Sequence, residues 1–151
     1  MMSQVLDKLI GEKTTQILVV SDELTFNPAL SRVVEEKIDV EITDCFVCTD
    51  KVIFNGIVRK CILYCPPFVE PNGDTGVNQN NNAVLLLQTE IEFPGFIAVN
   101  GAKRGDKCVI KAEVGDCRFL SPITEDEEGN ILTAVEKLIV DVCVKVIRED
   151  C

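Results

Sequence analysis

Apolar and polar residues alternate with a period of two along most of the chain, which is the pattern of strands with one covered face. In "KIDVEIT", Ile38, Val40 and Ile42 fall on one side and Asp39, Glu41 and Thr43 on the other. "KVIFNGIVRKCILYC" (51–65) is rich in β-branched and aromatic residues, and Gly56 inside it marks a bulge. "NAVLLLQTEIEF" (82–93) predicts a strand ending before Pro94, and "DKCVIKAEVGDCRFL" and "AVEKLIVDVCVKVIRE" predict two more. "VLDKLI" (5–10) predicts a short helix or arm ahead of the strand "TTQILVV". "PPFVEPNGDTGVNQNNN" (66–82) and "SPITEDEEGN" (121–130) predict polar loops, the Asn run being a solvated tip. Long strands joined by hairpins give an all-β fold, an antiparallel β-sandwich or partly open barrel with a short N-terminal helix or arm. The organisation is one structural domain, with an N-terminal segment (1–30) followed by a β-domain (31–151).

Composition narrows the class of partner. At 151 residues and 46% hydrophobic content, the chain can bury a core without help from a metal or disulfides. A net charge of −10 opposes nucleic-acid phosphates and anionic membranes, so neither nucleic acid nor membrane insertion is expected. "MMSQVLDKLIGEK" lacks the basic start and apolar stretch of a signal peptide, so the expectation is synthesis in the cytoplasm without ordinary secretion. The absence of histidine removes the usual general base and the Ser-His and Cys-His nucleophile pairs. No phosphate-binding glycine loop opens a helix, and "EDEE" (125–128) reads as a solvated loop rather than a calcium site. The expectation is a non-enzyme without cofactor or metal.

Eight cysteines stand out against that background. Cytosolic thiols are kept reduced, so their number suggests metal, catalysis, or bonding delayed until the surroundings change. Cys45/Cys48 and Cys61/Cys65 have a zinc-ribbon-like spacing, but they sit in strand patterns rather than in the tight turns of zinc knuckles. A turn at Thr49-Asp50 pairs residues 38–48 with 51–61 and sets Cys48 and Cys61 on the order of 30 Å apart, too far for one ion. Within an extended strand Cys61 and Cys65 stand about 13 Å apart, and Cys45 and Cys48 about 10 Å on opposite faces. A disulfide needs Cα atoms closer than about 7 Å. Each of these four is therefore unpaired, bonded to a different strand, or bonded to another molecule. Asp44 and Asp50 disfavour a reactive thiolate beside Cys45 and Cys48.

The same alternation sorts the remaining thiols. Val140, Val142, Val144 and Val146 share one face, which turns Cys143 outward between Asp141 and Lys145. Cys151 ends the chain after "RED" and is accessible. Cys108 alternates with Ile110, Ala112 and Val114 and reads as buried, while Cys117, beside Asp116 and Arg118, fits either side. Around Cys45, Cys48, Cys61 and Cys65 apolar residues occupy both faces, a pattern of a sheet covered on both sides. The cross-link candidates are Cys143, Cys151, Cys45, Cys48, Cys61, Cys65 and Cys117.

Three stretches, "EEKIDVEITDCFVCTDKVIFNGIVRKCILYC", "LLLQTEIEFPGFIAVNGAKRGDKCVIKAEVGDCRFL" and "EKLIVDVCVKVI", resemble the SPOCS domain of spore-coat and exosporium proteins in endospore-forming Firmicutes, clostridia especially. The pieces that carry the likeness are the "DKVIFNG" turn-strand, "EIEFPGFI", the "GAKRGD" link and the closing valine-rich strand, over roughly residues 35–148. The resemblance implies a non-enzymatic protein of the spore surface, made in the mother-cell cytoplasm. Some members recruit a morphogenetic partner at the forespore; cysteine-rich ones look like self-assembling surface proteins. Many cysteines and no recognisable LysM module favour the building block over the adaptor. The expected function is self-assembly, alone or with other spore-coat proteins, followed by disulfide cross-linking after mother-cell lysis. A binding module that recruits a morphogenesis partner is the alternative.

Overall fold

The computed structural model describes residues 6–68 and 83–150, and they form seven strands. These are β1 (Leu6–Val20), β2 (Leu24–Leu30), β3 (Arg32–Cys48), β4 (Lys51–Cys65), β5 (Leu85–Ala98), β6 (Lys107–Glu125) and β7 (Ile131–Asp150). All pairings are antiparallel and fall into two sheets. One sheet has the order β3-β4-β5; in the other, β7 lies between β6 and β1, with β2 continuing along the β1 edge. The fold is an antiparallel β-sandwich, as the alternation predicts. Residues 6–30 are woven into the β7 sheet: the Ser21 amide and hydroxyl both bond the Glu136 backbone and bridge the break between β1 and β2.

The short helix predicted over 5–10 is replaced by strand from Leu6 onward, because β7 offers a continuous partner from Asp150 to Lys137. Val5, the rest of any N-terminal arm, and residues 69–82 with the Asn run lie outside the described residues. β5 runs through Pro94 instead of stopping before it. It is an edge strand with one unpaired side, where the missing amide of proline removes no ladder bond. The predicted loop 121–130 shrinks to 126–130, since Ser121 to Glu125 continue to pair with β7. The Asp126 carboxylate organises this turn by accepting from the Glu128 and Asn130 amides.

The inward faces of β4 and β7 meet in the core. Val52, Phe54 and Val58 pack with Val140, Val142, Val144 and Val146, and a second cluster joins Phe26, Ile62, Tyr64 and Ala134. Gly56 also faces inward, but the bulge predicted there lies on the neighbouring strand. Ile42 pairs with Gly56 and Asp44 with Asn55, which leaves Thr43 as the extra residue on β3. Gly56 serves packing: a β-carbon there would come within 2.7 Å of Phe93 Cε1 and 2.9 Å of Cε2.

The β3–β4 turn docks on the β5–β6 link. Asp50 adopts a left-handed φ of 59°, which aspartate tolerates, and exchanges backbone bonds with Val99 and Ala102. Its carboxylate accepts from the Gly101 amide at 2.8 Å. Arg148 then clamps the link, donating twice to Asp106 at 2.8 Å and once to the Gly101 carbonyl.

Candidate functional site

Odd-numbered residues of β4 point away from the core, so the outer face of its sheet carries Ile53, Cys61 and Cys65. Cys48, opposite Lys51, falls on the same face. The three cysteines are half-buried and form no disulfide among the described residues. Gln88 donates to Cys61 Sγ at 3.7 Å and Arg32 to Cys65 Sγ at 3.5 Å. Cys61 pairs with Lys37, ten residues along β4 from the Cys48 end, which separates the thiols by about 33 Å. Next to the turn, Phe46, Ile53 and Phe96 form one row across all three strands. They are 49%, 49% and 68% exposed, and the Arg104 guanidinium lies 5.5 Å over the Phe46 ring. Three large apolar side chains aligned in solvent form a sticky band, unlike singly scattered ones.

The outer face of the other sheet carries Cys143 between Asp141 and Lys145, as the valine alternation predicts. It is half-buried, forms no disulfide among the described residues, and donates to Glu12 Oε1 at 3.5 Å. Cys117 is exposed at the bulge where β6 skips from Val114 to Arg118.

Cys45 takes a different course from the other candidates. It bonds Cys108, a residue 63 positions away on β6, with Cα atoms 6.5 Å apart. Of the three fates left open for it, bonding to a different strand is the one realised. The link ties the β3 edge of one sheet to β6 of the other, and both residues pack against the main core cluster. Cys108 faces inward as its neighbours indicate, but sequence reasoning missed its partner.

Sequence reasoning also missed the charged centre of the sandwich. Lys60 and Glu136 face inward from β4 and β7, with 0% of either side chain exposed. They separate the two apolar clusters: Val58 and Leu138 lie on one side, Ile62 and Ala134 on the other. Lys60 Nζ donates to Glu136 Oε1 and stands 3.4 Å from Glu36 Oε1, while Arg118 Nε stands 3.5 Å from Glu36 Oε2. Burial pushes the Glu136 carboxyl up, against the opposing pull of Lys60. The signal was present as a charge on the apolar parity of each strand, positive in "VRKCI" and negative in "AVEKL".

A family model described as SipL, SPOCS domain, matches residues 30–120, more than half of the chain. The chain belongs to the SPOCS domain family. Membership places it among sporulation-associated proteins. No curated protein and no solved structure matches it. The SPOCS match spans β3 to β5 and most of β6, and so includes Cys45, Cys48, Cys61, Cys65, Cys108, Cys117 and Lys60. Cys143 and Glu136 fall on β7, beyond the match; Cys151 is also beyond the match and lies outside the described residues.

In this SPOCS chain the Cys143 thiol is pushed up, first by burial and then by its bond to the Glu12 carboxylate. Thiolate is the reactive form, so Cys143 is expected to alkylate slowly at neutral pH. Glu12→Gln should speed its labelling and lower the pH at which the rate reaches half its maximum. Timed maleimide labelling with peptide mass readout checks this; an unchanged profile removes Glu12 from the account.

Proposed function

We propose that this SPOCS protein is a non-enzymatic structural subunit of the spore surface, in coat, exosporium or appendage. It self-associates, alone or with other spore-coat proteins, and intermolecular disulfides then lock the assembly. The observation that carries this reading is the set of five cysteines that are unbonded among the described residues, with Cys48, Cys61 and Cys65 on one sheet face and Cys143 and Cys117 on the other sheet. Their separation along strands keeps neighbouring sulfurs from satisfying one another. The Phe46–Ile53–Phe96 band supplies apolar area for a first, reversible contact. Synthesis in the mother-cell cytoplasm keeps the thiols reduced until lysis admits oxygen. Each bond then forms from two thiols, with two electrons and two protons passing to the oxidant.

Gels of native material, run with and without reductant, test the reading. A ladder of multimers that collapses on reduction is expected, and Cys48→Ser/Cys61→Ser/Cys65→Ser should shorten it. A single monomer band under both conditions would sink the covalent part. The apolar band with its Arg104 cation also supports a second reading, a module that docks a spore-morphogenesis partner. A monodisperse monomer whose thiols label poorly when folded favours that second reading.

A further inference from the structure

The buried charges at the middle of the sandwich form a reactive arrangement as well as an ion pair. Lys60 and Glu136 come from the central strands of opposite sheets, in contact and wholly screened from water. Their inward neighbours along the strands, Val58, Ile62, Ala134 and Leu138, are all buried and apolar. Glu136 Oε1 accepts from Lys60, while Oε2 has no hydrogen-bond partner among the described residues, which leaves the carboxyl half-satisfied. A third group, the Glu36 carboxylate, stands 3.4 Å from the same nitrogen.

In water an amine and a carboxylic acid do not condense, because both ionise: the ammonium has no free lone pair and the carboxylate is a poor electrophile. Inside a low-dielectric layer a proton can pass along the hydrogen bond and leave neutral amine beside neutral acid. Burial already pushes the Glu136 carboxyl towards its neutral form. Holding the nitrogen in contact with the carboxyl replaces a bimolecular encounter with a positioned one, an effect worth orders of magnitude in rate.

We propose that Lys60 and Glu136 become joined by an intramolecular isopeptide bond that ties the two sheets together. The Lys60 Nζ lone pair attacks Glu136 Cδ, forming the N–C bond. A proton from the nitrogen passes to the Glu36 carboxylate, which returns it to the departing hydroxyl. The C–OH bond breaks and one water leaves past Glu36, whose side chain is 25% exposed and opens the site towards solvent. One amide forms and one water is lost; no oxidant, nucleotide or metal takes part. Glu36 acts as a proton shuttle, held in place by Arg118. The bond closes a loop between residues 76 positions apart, doing what a disulfide does but in a form no reductant opens. It is independent of whether the chain self-assembles.

Intact-mass spectrometry of the full chain, after complete reduction and alkylation, tests the proposal. The expected mass is one water below that of the sequence. Protease mapping should yield a branched peptide joining the Lys60 and Glu136 segments in place of the two linear ones. Full sequence mass overturns the bond, as does a lost water mapped elsewhere. Glu136→Gln should reach the same amide by losing ammonia, and so match the mass of the cross-linked wild type. Lys60→Met should show its full mass, and a water lost from that variant would overturn the assignment to Lys60. Glu36→Gln should leave a persistent unlinked fraction; complete linkage in that variant removes Glu36 from the mechanism.

Discussion

Lys60→Met is expected to lower the folding stability by about 3–5 kcal/mol relative to the unlinked chain, the usual cost of leaving one partner of a buried ion pair alone, and by more relative to the cross-linked one. The methionine fills most of the lysine volume, so the loss reports charge rather than packing. Glu136 would then sit between the two apolar clusters with no cation in contact among the described residues; Arg118, which pairs with Glu36, acts on it only from a distance. The carboxyl can relieve this only by protonating, and burial already raises its pKa in the folded state. A raised folded pKa means that the folded chain holds the proton more tightly than the unfolded one. Its contribution is therefore intact below the ordinary carboxylate pKa and is lost as pH rises through the folded value. The deficit of the variant should accordingly grow with pH across that window. Urea denaturation at a series of pH values measures it, and an unchanged midpoint would mean that the centre of the sandwich is wet. Lys60→Met/Glu136→Leu should fall between the single variant and the wild type. It recovers the desolvation of the lone charge and does not restore the cross-link.

The features legible in the sequence are those that a single strand carries in its own alternation. The inward run Val140, Val142, Val144 and Val146 was plain because four valines in step leave no other parity, and the outward side of Cys143 follows from it. The Thr49-Asp50 turn was legible for a similar reason, and it placed Cys61 within one residue of its observed partner Lys37. Features that depend on a distant partner were not legible. "VLDKLI" has the composition of a helix, yet from Leu6 onward it is strand because β7 lies beside it. "LTFNPAL" hides β2 behind an Asn-Pro pair, and Pro94 is tolerated only because β5 turns out to be an edge. The Cys45–Cys108 bond and the Lys60–Glu136 contact join strands of different sheets. Parity turns Cys108, Lys60 and Glu136 inward and leaves Cys45 with apolar residues on both faces, but nothing local says which strand of the other sheet lies across from any of them. Two opposite charges on apolar parities were the one available hint, because a buried charge requires a partner.

Phe93→Ala is expected to cost about 3–5 kcal/mol, and Gly56→Ala about 1–3 kcal/mol, yet the two together should cost less than their sum. Gly56 of β4 is paired directly with Phe93 of β5, and Phe54 with Gly95, so each ring lies over the glycine of the opposite strand. A methyl added at Gly56 would enter the Phe93 ring, while one at Gly95 would meet Phe54 Cε2 at 2.6 Å and Ile17 Cδ1 at 2.7 Å. Removing the Phe93 ring leaves a cavity, and the new alanine methyl at position 56 fills part of it. A coupling of about 0.5–3 kcal/mol is the expected size for residues in direct contact. Urea denaturation of the two single variants and the double measures it, and strict additivity would show that the ring does not lie over the glycine. The consequence extends to the outer face. Two crossed Gly–Phe pairs hold β4 and β5 in one register, and that register sets Ile53 beside Phe96 and Cys61 beside Gln88. A slip of one residue would turn Phe96 and Gln88 inward and break the apolar band. Sandwich packing and the presentation of outward thiols thus depend on the same pair of glycines, so the Gly56→Ala chain should also form a shorter disulfide ladder than its loss of stability alone accounts for.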